Sequence, residues 1–171
     1  MVRKYLRLII AGILLLGSVG LFVYSSSSMG VLMVLIAGLL VLTHFKNEMN
    51  LVAFYYVRKN KFESAGKVLA RVKHPENMIK SQEAYHYYLS GLVESQKNSI
   101  SKAEKHFKKA LSTGLRMKND QAVAKLNLSG IALSHRNKKL ATYYLKETKK
   151  LDKQKLLSAQ IKEIEAMMKR I

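Results

Sequence analysis

The feature that most restricts what this chain can fold into is an internal period. Ala65, Ala103 and Ala141 stand 38 apart, and four positions after each comes a large apolar side chain: Leu69, Phe107 and Leu145. The small residues Ala53, Gly91 and Gly130 recur at intervals of 38 and 39, each eleven or twelve places ahead of its alanine. Self-similarity at this length marks a repeat architecture, in which each unit buries its apolar face against the next. Apolar residues of 46–171 recur at three- and four-residue spacing, with one Pro in the whole chain, which predicts helix throughout. Polar breaks near 59–61, 73–76, 97–99, 118–120, 135–137 and 151–152 divide the stretch into short helices that come in hairpin pairs. In each pair a small residue on the first helix and the alanine on the second permit close approach. The large residue one turn later is expected to fill the gap to the next pair.

On these residues the chain resembles the tetratricopeptide (TPR) repeat family over roughly 47–150. The middle unit, Ala84–Leu111, carries Gly91, Ala103, Phe107 and Ala110 where the family signature has Gly, Ala, an aromatic and Ala. The first unit supplies Ala53, Tyr56, Phe62, Ala65 and Leu69, and the third supplies Gly130, Leu140, Ala141 and Leu145. The chain has no Trp, and Ser90 and Thr148 replace residues usual in the family. The period of 38 exceeds the family's 34, which implies longer turns between units. The resemblance implies an α-solenoid of about three helix pairs, closed by a C-terminal cap helix at 155–171. The cap carries Leu157, Ile161, Ile164, Met168 and Ile171 on one stripe.

The N-terminal stretch, 1–45, reads differently. Leu8–Tyr24 and Met29–Phe45 are apolar runs of equal length without an interior charge. As helices they reach about 26 Å, at the short end for a hydrocarbon core of about 30 Å. Ser25 to Ser28 lie between them as a polar turn, so residues 1–45 are expected to form a transmembrane helical hairpin. Arg3, Lys4 and Arg7 precede the first span and Lys46, Arg58, Lys59 and Lys61 follow the second, while the serine loop has no base. Flanking positive charge faces the cytoplasm. The expectation is thus a two-span protein of the cytoplasmic (inner) membrane, with both termini and the 46–171 domain on the cytoplasmic side. Gly12, Gly17, Gly20, Gly30 and Gly38 are expected to let the two helices approach closely.

Zero cysteines exclude a disulfide framework, a thiolate metal site and a cysteine nucleophile. No phosphate-binding glycine loop, metalloprotease HExxH or hydrolase elbow occurs. Glu83 and His86 have the spacing of a carboxylate–histidine metal motif. No second copy exists, and the pair reads as a solvated helix surface. No enzyme activity, metal or cofactor is expected. The resemblance instead places Asn50, Phe54, Tyr85, Tyr88, Leu92, Asn127 and Ile131 on a concave face. Rings there offer apolar area and amides offer hydrogen bonds to an extended protein or peptide partner.

The charge is strongly positive, with 30 Lys and Arg against 11 Asp and Glu. Lys102, Lys105, Lys108 and Lys109 form one cluster, and Lys146, Lys149 and Lys150 belong to another. Such clusters suit an acidic protein or an anionic lipid surface. Nucleic acid is disfavoured, because no reading-helix or base-stacking motif accompanies the charge. The expected function is an integral membrane protein presenting a TPR scaffold for protein binding, as a subunit or assembly factor of a membrane complex. The alternative is a basic electrostatic tether to anionic lipid or nucleic acid, with the repeats serving only as packing.

Overall fold

The computed structural model describes residues 2–24, 27–45 and 48–170, with side chains over 9–20, 28–39 and 48–170. Among the described residues the fold is all-α. Its helices are α1 (Val2–Tyr24), α2 (Ser27–Phe45), α3 (Glu48–Arg58), α4 (Phe62–Leu69), α5 (Lys80–Gln96), α6 (Ile100–Thr113), α7 (Lys118–Ser134), α8 (Lys138–Leu151) and α9 (Ser158–Lys169). A 3₁₀ turn at Pro75–Asn77 lies between α4 and α5. The chain divides into two compact units, Met1–Glu48 and Met49–Ile171.

The first unit is the antiparallel pair α1–α2. Its described buried residues are small: Ala11 and Ser18 on α1, Gly30 and Ala37 on α2. The two members of each set are separated by two turns of helix, so each set lines one seam. Of the predicted glycines, Gly30 is buried in that seam and a Cβ on Gly17 would lie 3.8 Å from the Met33 sulfur of α2, whereas nothing lies within 4 Å of a Cβ built on Gly12, Gly20 or Gly38. The seam is therefore made by alanine and serine as much as by glycine. Ser18 satisfies its hydroxyl by donating to the Leu15 carbonyl at 2.7 Å. Ser27 and Ser28 belong to α2, while Ser25 and Ser26 lie outside the described residues.

The expected membrane placement is corrected. Among the described residues no helix is long and apolar enough to cross a membrane. That finding overturns the two-span inner-membrane localisation with cytoplasmic termini. The basic flanks Arg3, Lys4 and Arg7 on which the orientation rested have side chains outside the described residues.

The second unit repeats at the backbone level more strictly than in side-chain identity. Asn60, Asn98 and Arg136, which follow one another at the repeat period, take left-handed φ values of 56°, 56° and 55°. After each, the next N–H reaches back five residues: Lys61 to the Tyr56 carbonyl, Ser99 to Glu94 and Asn137 to Ala132, at 2.9, 3.0 and 2.8 Å. The left-handed residue's own N–H bonds three residues back, to Val57, Ser95 and Leu133. These two bonds close a helix end by the Schellman pattern, so one turn type joins α3 to α4, α5 to α6 and α7 to α8. Helices α5 and α7 are 17 residues, and α6 and α8 are 14. The connections between units differ: ten residues, 70–79, join the first pair to the second, and four, 114–117, join the second to the third. Lys118 to Asp120, read as a break, open α7; the break lies just before, where Gly114 turns the chain at φ 102°.

Packing follows the small–large logic with two changes of detail. A Cβ on Gly91 would lie 2.7 Å from the Phe107 ring. Phe107 thus fills a hollow within its own pair rather than the gap to the next one. In the third pair the strict repeat equivalent of Gly91 is Ser129, fully buried, whose hydroxyl donates to the Ala141 carbonyl at 2.9 Å. Gly130 faces the cap instead, where a Cβ would meet Ile164 at 3.4 Å. One core runs from Ala53 through Leu89 and Phe107 to Leu128, and a second joins Leu126, Leu133 and Leu145 to Ile161 and Ile164 of α9. The buried Asp152 carboxylate accepts from the N–H groups of Leu156 and Leu157, at 2.9 and 2.8 Å, and so shapes the turn into α9.

Candidate functional site

The predicted concave-face residues divide into those that reach the surface and those that hold the surface in place. Asn50 is 1% exposed, so its amide is not available to a ligand. Its Nδ2 donates to the Gln82 carbonyl at 3.0 Å and to Gln82 Oε1 at 3.2 Å, and its Oδ1 meets His86 Nδ1 at 3.2 Å. A buried amide satisfied on both ends fixes the register of α3 on α5. Burial, with the His106 charge adding to it, pushes the His86 imidazole down to about 4, so the ring is neutral at ordinary pH. Glu83 is buried as well and accepts from Lys80 Nζ at 3.0 Å. The Glu83–His86 pair is therefore part of the packed seam, not a solvated surface. Among the described residues no group of three His, Cys, Asp or Glu is placed to hold a metal ion.

An aromatic row crosses from α3 to α5. Phe54, 40% exposed, has its ring centroid 6.3 Å from Tyr85, and Tyr85 lies 5.8 Å from Tyr88. Tyr85 is half-buried, while Tyr88 is buried with its hydroxyl beside the Asp120 carboxylate of α7. Burial, then the nearby Asp120 charge, raises both phenols, Tyr85 to about 12. Burial also raises the Asp120 carboxyl, against the Tyr88 hydrogen bond, which lowers it. Tyr88 is thus the anchor of the row and Phe54 and Tyr85 its accessible part. Asp120, in the first turn of α7, carried no periodic signal, and its place beside the row could not have been found from spacing alone.

Leu92 and Ile131 are half-buried and pack against the main core. Asn127 is half-buried; its Nδ2 donates to the Val123 carbonyl at 2.9 Å and its Oδ1 accepts from Ser95 at 3.3 Å. Phe54, Tyr85 and Tyr88 are therefore brought together by ring contacts, and Asn127 is joined to α5 at Ser95.

The predicted lysines are all exposed, but their surroundings differ. Lys108 pairs with Glu104 at 2.6 Å, Lys150 with Glu147 at 2.9 Å, and Lys149 with Glu165 on α9. Lys109 lies over the Tyr87 ring at 5.9 Å. Lys102, Lys105 and Lys146 have no carboxylate within ion-pair distance among the described residues.

Neither a curated protein nor a solved structure matches this chain. Residues 43–113, from the end of α2 through α6, match the family model described as AimR transcriptional regulator-like. The stretch that carries Asn50, the aromatic row, Gly91 and Phe107 is therefore similar to a family of helical regulators.

Proposed function

We propose that residues 49–171 form a TPR-like solenoid of three helix pairs capped by α9, and that it serves as a regulatory protein-binding module. The ligand is an extended protein segment lying across Phe54, Tyr85, Leu92 and Asn127. The observation that carries this reading is the aromatic row, in which two accessible rings stand on a buried third that lies beside Asp120 of α7. Rigid rings supply apolar area at small entropic cost, and the half-buried Asn127 amide can exchange its local bonds for those of a peptide backbone. The match of 43–113 to a regulator family supports the same reading.

The test is selection of a random peptide library on the full-length chain, with affinities read by fluorescence anisotropy. Selected peptides are expected to bind at least ten times more weakly to Phe54→Ala plus Tyr85→Ala, and to keep their affinity in about 0.5 M salt, where exposed charges are screened within a few ångströms. Peptides indifferent to that double change, and released by salt, would overturn groove binding in favour of a purely electrostatic tether.

A further inference from the structure

We propose that the cleft between α8 and α9 is a second docking site, built for an acidic amphipathic helix of a partner protein. The cleft has a volume of about 650 Å³ and is lined by Lys138, Thr142, Leu145, Lys146 and Lys149 of α8 and by Glu165, Met168 and Lys169 of α9. Helical spacing brings the α8 residues to one face and the α9 residues to another, so the walls are two rods with a trough between them. The buried Leu145 and half-buried Met168 are the apolar members of this lining, and lysines stand on both walls.

Charge selects the occupant. Glu165 is the one acidic residue of the lining, and it is already paired with Lys149, whose hydrogen bond holds its carboxyl below the usual range. Lys138 and Lys146 have no carboxylate within ion-pair distance among the described residues, so the trough presents uncompensated positive charge. Lys138 and Lys149 are eleven positions apart on α8, about 16 Å at about 1.5 Å per residue, which matches about three turns of a partner helix. A helix with an apolar stripe flanked by Asp or Glu satisfies both floor and rim. A flat anionic surface would meet the lysines but leave the apolar floor unfilled. This site uses other helices than the aromatic row, and it stands whether or not that row binds peptide.

The probe is a fluorescent three- to four-turn peptide with a leucine stripe flanked by glutamates, titrated into the full-length chain and followed by anisotropy and circular dichroism. Binding with gain of helix is expected. It should weaken at least tenfold when the peptide's leucines become Ala, and likewise when its glutamates become Gln. On the protein, Lys146→Glu plus Lys169→Glu should weaken it at least tenfold, whereas Lys153→Glu plus Lys162→Glu, the same charge change outside the cleft, should cost less than threefold. Thr142→Trp fills the trough without altering charge and should also weaken binding. The proposal fails if the leucine-free peptide binds as well as its parent. It fails equally if the two charge reversals act alike, or if phosphatidylglycerol vesicles bind through these lysines while the peptide does not.

Discussion

The pairs α5–α6 and α7–α8 have the same helix lengths and the same left-handed turn, yet their seams are filled with different chemistry. In α5–α6, Phe107 lies in the hollow left by Gly91, and His86 reaches out of the pair to bond Asn50. In α7–α8 the equivalent positions are Leu145, Ser129 and Ala124, and the Ser129 hydroxyl closes on the Ala141 carbonyl. Backbone geometry is common to both pairs, and side-chain volume and hydrogen bonding are settled locally. The consequence is that residues cannot be exchanged singly between the pairs, even though the frames match.

The largest expected effect is at the large position. Phe107→Ala should destabilise by about 3–5 kcal/mol in urea unfolding, because a fully buried ring leaves a cavity against Gly91. Leu145→Ala should fall at the lower end of about 2–5 kcal/mol, since Leu145 borders the α8–α9 cleft and the site can relax. Equal losses would break the distinction between the seams.

Next comes transplantation. Gly91→Ser copies the third pair into the second and should cost about 1–3 kcal/mol, because the new Cβ overlaps the Phe107 ring. Adding Phe107→Leu should recover part of that loss. A double-mutant cycle measures the coupling, expected at about 0.5–3 kcal/mol, and a coupling near zero would mean that the hollow and the ring are independent.

A smaller effect separates the pairs by pH. His86 ionises near 4 in the fold against 6.5 for the free side chain, so the unfolded chain takes up the proton first. The contribution of the neutral ring is complete above about pH 7 and is lost as pH falls from about 6.5 toward 4. His106, lowered by burial too, acts in the same direction. His86→Ala, which copies Ala124, should flatten the fall of Tm between about pH 7 and pH 5 while lowering Tm at neutral pH through the lost Asn50 bond. An unchanged pH profile would show that His86 is not the titrating group.

The smallest effect belongs to the turn. Arg136 occupies the left-handed position that Asn60 and Asn98 hold in the other pairs. Asparagine tolerates this conformation better than a long side chain does. Arg136→Asn should raise stability by less than about 1 kcal/mol and Asn98→Arg should lower it by a similar amount, both read from chemical denaturation midpoints.

Much of this architecture could be read before any coordinates. Runs such as Lys97-Asn98-Ser99 mark helix ends through a residue that accepts a positive φ, and the alanines at 65, 103 and 141 mark seams through size. Gly130 was misread because two adjacent small residues, Ser129 and Gly130, compete for one role, and only the direction of each side chain decides between them. The apolar runs at the start announced helices, and α1 and α2 are helices. Apolarity was a poor guide to placement: among the described residues no helix meets the length and apolarity of a membrane span. For the candidate site, Phe54, Tyr85 and Tyr88 were legible as one face. The withdrawal of Asn50 into the core was not, because an amide on a helix looks the same whether it meets water or a neighbouring carbonyl.

By itself the amino-acid order determined helix, helix ends and the beat of the repeat, since these depend on residue size, φ tolerance and spacing within one turn or one hairpin. Tertiary structure alone decided which polar groups are buried, which phenol is an anchor and which is accessible, and where α8 and α9 leave a trough. Those outcomes depend on partners far apart along the chain, as Asn50 is from Met78, Gln82 and His86, and no local pattern encodes the distance between two side chains until the helices carrying them have packed.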